Sequence, residues 1–200
     1  MSLRKLTIAD IADARAYERE RAALRAHVLE LKHRRRVAVG AIISVMFESR
    51  ETMRYQIQEM ARVERIFTDD GIQQELDVYN PLIPEPGHLC ATVFIELTSD
   101  EQVREWLSKL VGIETSLLLR LPGLAAPTNT VRGVVRAEHA EQLTRDHVTA
   151  AVHYVTFQFT APQVAAFTDG VALEIDHPAY GESVILPAAT VAELRGDLVG

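Results

Sequence analysis

The chain has 200 residues, a net charge of −7 and one cysteine, Cys90. That length suits one large domain or two small ones with a real core. The acidic balance speaks against nucleic-acid binding, a lone cysteine excludes an intrachain disulfide and a cysteine-built zinc site, and no apolar run of about 18 residues marks a membrane span.

Charges interrupt the N-terminus from Asp10 onward, so no signal core forms, and a soluble cytoplasmic protein is expected. The charge is uneven. Residues 1–36 hold ten Lys/Arg and five Asp/Glu; the remainder holds eleven and twenty-three. A basic helical arm over 1–36, ahead of one α+β domain over 37–200, is the expected organisation. Such an arm can fold back on the acidic body or reach an acidic neighbour.

Residues 9–33 read as one long helix, with Ile11, Tyr17, Leu24, Val28 and Leu31 as its apolar stripe. Arg34, Arg35 and Arg36 follow, where positive charge suits a helix C-terminus. In "VAVGAIISVMF" the period changes to two, from Val37 to Phe47, as in a half-buried strand. A polar helix, "ESRETMRYQIQEMARVERI", comes next, with Ser49 as N-cap. Asp69-Asp70-Gly71 breaks it, and Ile72 to Tyr79 form a second short helix before "NPLIPEPG".

"HLCATVFIEL" is a strand. "SDEQVREWLSKLVG" is a helix with a capping box from Ser99 to Gln102. "SLLLRL" and "VRGVVR" are strands around a loop, and 137–150 reads as a weak helix. "AVHYVTFQFT" is a strong strand. A short helix over 161–169, the strands "VALEIDHP" and "ESVILP", and a terminal helix in "AATVAELRGDLV" complete the chain. Several strands are too close for parallel crossovers. The expected fold is α+β: a mixed, largely antiparallel sheet with helices on one face and the long N-terminal helix.

Three groups of residues carry candidate chemistry. On the wheel of the polar helix, Met53, Ile57, Met60, Ala61, Val63 and Phe67 form an apolar arc. Glu51, Arg54, Tyr55, Gln58, Arg62 and Arg65 lie opposite. This face is either a solvated, salt-bridged surface or an arginine platform for an anion or an acidic partner. Gln56 and Glu64 fall inside the apolar arc. A carboxylate buried there must be paired, protonated or metal-bound, and Arg34 to Arg36 are the expected partners. His153 and His177 share parity with core positions of their strands. Antiparallel strands would bring them to one sheet edge, where they either are capped core histidines or form a polar pocket.

Cys90 reads as a buried, inert thiol. The one Glu-x-x-His spacing, Glu30 to His33, is half of what a di-iron bundle requires, and the arginines beside it repel a metal. No cofactor is expected.

The segments "KHRRRVAVG", "FESRETMRYQIQEMARVERI" and "GIQQELDVYNPLIP", with "VGIE", "AVHYVTFQF" and "DHPAYGESVILP", resemble domain-of-unknown-function family 3501. The resemblance implies a bacterial protein that keeps company with rubrerythrin and iron–sulfur oxidoreductase systems. A non-catalytic accessory protein is therefore expected, acting through protein contacts and dimerising through its N-terminal helix. Two alternatives stay open. One is an enzyme gripping a small anion with the arginine helix and using a histidine for proton transfer. The other is metal binding through His153, His177 and a carboxylate.

Overall fold

A computed structural model describes residues 5–135, 144–145 and 148–200. The long N-terminal helix, α1 (Ala14–Arg35), starts later than its apolar stripe suggests. Its cap decides the start: one Asp13 carboxylate oxygen accepts from the N–H groups of Arg15 and Ala16, both at 2.9 Å. Ile8–Asp10 form a separate 3-10 turn.

The expected strand over 37–47 is a hairpin of β1 (Arg36–Val39) and β2 (Ile43–Phe47). Gly40 turns the chain at φ +68°, a conformation that favours glycine. The period of two survives the turn because the register pairs Val37 with Val45 and Val39 with Ile43. The inward residues of both strands therefore share one parity in the sequence.

The polar helix is α2 (Arg50–Glu64), and α3 (Asp69–Tyr79) follows it. Arg65, left-handed at φ 57°, ends α2. Asp69, Asp70 and Gly71 do not break a helix; they form the first turn of α3, capped by Thr68. Next come β3 (His88–Ile95), α4 (Asp100–Lys109), β4 (Leu117–Arg120) and β5 (Thr130–Val135). The helix expected over 137–150 falls partly outside the described residues. Where that stretch is described, β6 (Thr144–Arg145) and β7 (Val148–Thr149) pair as a small antiparallel ribbon instead. The chain ends with β8 (Val152–Gln158), α5 (Ala161–Ala165), β9 (Ala172–His177), β10 (Tyr180–Ile185) and α6 (Ala188–Val199).

Eight strands make one sheet in the order β1-β2-β3-β8-β5-β4-β9-β10. Every described pairing in it is antiparallel, so the α+β class holds. The sheet curls until its first and last strands meet. The Tyr180 hydroxyl on β10 donates to Val39 O on β1 (2.8 Å) and accepts from Ile42 N (3.2 Å). This clamp sits against Gly40, where a Cβ would strike the same hydroxyl.

Two apolar layers follow from the curl. Inward residues of all eight strands, with Leu110, Ile113, Leu194 and Leu198, fill the inside. On the outer face Met46, Thr92 and Tyr154 stand side by side across β2, β3 and β8. A second cluster, from Leu6, Met53, Ile57, Ile72, Leu76 and Ile83, packs with Tyr154 between α2, α3 and the N-terminal segment. Among the described residues, no helix is long and apolar enough to cross a membrane.

Candidate functional site

α2 is the centre of the polar chemistry. Ser49 caps it reciprocally: Thr52 N donates to the Ser49 hydroxyl (3.3 Å) and Ser49 N to the Thr52 hydroxyl (2.8 Å). Beneath this turn lies a buried carboxylate, Glu48. It accepts from the hydroxyls of Thr52 (2.7 Å) and Thr92 (2.6 Å), which meets the need of a buried polar group for partners.

The face of α2 expected to meet solvent or an anion meets the protein itself. α1 runs antiparallel along it. Arg62 donates to Glu18 at 2.5 Å, and His27 lies 2.7 Å from Glu51. Between these pairs, Glu59 accepts from the Tyr17 hydroxyl (2.6 Å) and from Arg21 Nε and a terminal nitrogen (2.7 and 2.8 Å). The Arg21 fork lowers the Glu59 carboxyl to about 2 against the opposing effect of burial, with Tyr17 helping. Burial, and then Glu59, raises the Tyr17 phenol. Lys32 stands over the Tyr55 ring at 5.6 Å. The basic arm thus folds back on the body.

The segment before α1 is strapped down by the same helix. Arg54 Nε donates to Asp10 O (2.9 Å), and Arg50 to the Asp10 carboxylate (2.6 Å). Gln58 lies buried, not on an open face. Its amide accepts from Ala12 N (2.7 Å) and donates to Ala12 O (3.2 Å). Asn80 binds Leu6 N and O in the same way, at 2.8 and 2.9 Å.

Gln56 and Glu64 do not occupy the core. Gln56 is half-buried and Glu64 exposed. Glu64 ends α2, where the helix overhangs the body, so its place on the wheel has no partner surface. The charge that it does meet is a like one. Burial first, and then Glu64, raises the Glu75 carboxyl on α3. The arginines expected to pair with Glu64 are engaged elsewhere. Arg34 donates to Glu193 (2.6 Å) and Arg36 to Glu96. Arg35, 2% exposed, donates to Phe47 O (2.8 Å), Glu48 O (3.0 Å) and Asp197. Arg65 is exposed at the helix end.

His153 and His177 do lie at one end of the sheet, because β8, β5, β4 and β9 alternate in direction. Both lean on the turn after α4. His177 Nε2 donates to Val111 O (3.1 Å), and its Nδ1 accepts from Ala179 N (3.2 Å). Both ring nitrogens are thus occupied. His153, 1% exposed, continues the inner row Val37, Val45 and Val93. Its Nε2 donates to Ala150 O (2.8 Å), with the Thr149 hydroxyl at 2.9 Å and a Glu114 carboxylate oxygen 3.9 Å from Nδ1. Burial lowers its pKa below the ordinary histidine value, partly opposed by Glu114 and Ala150. Exposed Glu64 belongs to a different part of the molecule. Among the described residues, no group of three His, Cys, Asp or Glu side chains is placed to hold a metal ion. Cys90 is buried, with Sγ 3.7 Å from the Thr156 hydroxyl.

Sequence reasoning does not single out Glu59 or Arg21, and it reads Tyr17 only as part of an apolar stripe. The available signal was the excess positive charge of residues 1–36 beside an acidic body. Nor does it find the recess of about 550 Å³ between residues 8–18, α2 and the start of α3, since its walls come from three separate segments.

The fold and these contacts define a class: a curled antiparallel sheet with a helical layer outside it, whose singled-out polar groups are largely tied to each other. The chain belongs to the family described as "Protein of unknown function (DUF3501)", which matches residues 5–198. It is similar to a crystal structure of a novel protein of unknown function from Burkholderia pseudomallei, with 36% identity and a TM-score of 0.87 over 97% of this chain and 99% of that one. No curated protein matches the chain.

Proposed function

We propose that this is a non-catalytic accessory or assembly protein of a bacterial redox system, acting through protein contacts. One observation carries the reading: the two histidines suited to acid–base chemistry are bound within the fold. Both nitrogens of His177 contact backbone atoms, His153 is buried against Ala150 O, and Arg54 and Arg62 hold Asp10 and Glu18. A general acid or base needs a proton-transfer partner within hydrogen-bond reach, and these groups face the protein's own atoms. Of the arginines that an anion-gripping enzyme would use, Arg54 is held by Asp10 O and Arg62 by its exposed pair with Glu18.

The partner to test first is the one that the family resemblance implies, a rubrerythrin or an iron–sulfur oxidoreductase. The reading includes a cytoplasmic homodimer with α1 in the contact. Isothermal titration of each purified partner into the protein is the test. Saturable heat with either supports the reading, and none with both refutes it. Light scattering that returns a monomer mass removes the dimer.

A further inference from the structure

The recess between residues 8–18, α2 and α3 has about 550 Å³ of free volume, within the range of small-molecule sites. Its apolar wall is Ile8, Ile11, Ala61, Ile66, Phe67 and Ile72. Phe67 is 72% exposed and Ile8 36%, so apolar surface faces water that an apolar ligand would displace. Gln58 and Tyr17 also line it, but their polar atoms are satisfied by Ala12 and Glu59. A hydrocarbon body seated here leaves neither of them unpaired.

The charges around the recess are not equivalent. Asp13 caps α1, Asp69 sits in the first turn of α3, and Glu18 takes Arg62. Helix N-termini and the ion pair compensate these three acids. Arg15 also lines the recess; its guanidinium makes no hydrogen bond or short ion pair among the described residues and acts on the Asp13 carboxylate only through space. Arg62 and Glu18 form a surface pair, with side chains 39% and 55% exposed. Such pairs hold weakly, so Arg62 can turn to a second carboxylate.

We propose that this recess binds a small amphiphile, an aliphatic chain ending in one carboxylate. The chain lies on the isoleucine wall and the head meets Arg15 and Arg62. This binding goes beyond the accessory role and does not depend on it.

Octanoate is the probe, titrated calorimetrically into the full chain, with octanol and octyltrimethylammonium as head-group controls. Saturable one-to-one binding of octanoate is expected, and little of either control. Arg15→Ala weakens it about ten-fold or more, the usual cost of a lost charged hydrogen bond. Ala14→Trp, at an exposed position lining the recess, abolishes it while the thermal midpoint holds. If that midpoint falls, Phe67→Asp on the exposed rim takes its place with the same expectation. No octanoate binding to the wild type overturns the proposal. So does equal binding of either control, binding unchanged in Arg15→Ala, or binding unchanged in the folded recess variant.

Discussion

Replacing Glu59 with glutamine removes the charge that joins α1 to α2 and keeps the shape of the side chain. The drop of the Glu59 carboxyl from 4.5 to about 2 sets a ceiling of about 3 kcal/mol on what ionisation contributes. Glu59 and Arg21 are 22% and 30% exposed, and screening brings the expected loss at pH 7 to about 1–2 kcal/mol. The sign follows from the lowered value. The contribution is complete above pH 4.5 and is lost as pH falls through about 2. Urea unfolding of wild type and Glu59→Gln, at pH 7 and at pH 3, measures it. The difference between the two proteins should be about 1–2 kcal/mol at pH 7 and roughly half that at pH 3. A difference that stays constant with pH would mean that packing, not charge, holds the helices together.

Four further outcomes follow from the geometry. Gln58→Ala strands the N–H and C=O of Ala12 and should cost about 2 kcal/mol, with faster amide exchange over residues 6–13. Tyr180→Phe opens the strand clamp at Val39 O for about 1 kcal/mol. Gly40→Ala should cost more in the same denaturation assay, since the left-handed φ and the clash with Tyr180 add together. His153 should titrate by NMR below the ordinary 6.5, because burial opposes its charging. Its unfolded form gains the proton first, so this histidine's share of stability is present above pH 6.5 and lost as pH falls through the folded value.

The strands and most helix ends were legible because local chemistry marks them. Ser49 and Ser99 cap helices through their side chains, and alternation in "AVHYVTFQFT" gives the buried face of β8. The split at Gly40 was hidden by its own register, since a hairpin with matched parity reads like one long strand. The candidate site was less legible for a different reason. A helical wheel assigns faces around an axis but does not say what covers each face, or where cover ends. Gln58 lies on the polar side of α2, yet residues 10–18 close over that side. Glu64 lies on the apolar side, yet the helix has passed the edge of the body. Arg35 sits in a basic run that a helix C-terminus explains, and only the folded chain brings Asp197 to it. The two histidines were placed at one edge by strand parity alone, while their partners, Val111 and Ala150, come from turns.

The most direct test of a role through contact rather than chemistry is reconstitution. Electron transfer by the purified rubrerythrin or iron–sulfur oxidoreductase would be measured with and without this protein, using the wild type and His177→Gln. Of the two candidate histidines, His177 is the half-buried one, and its loss should leave the fold intact. The wild type should alter the partner's rate or stability in a saturable way, and His177→Gln should do so equally. An effect that vanishes with His177→Gln in a folded, partner-binding protein would contradict a role through contact.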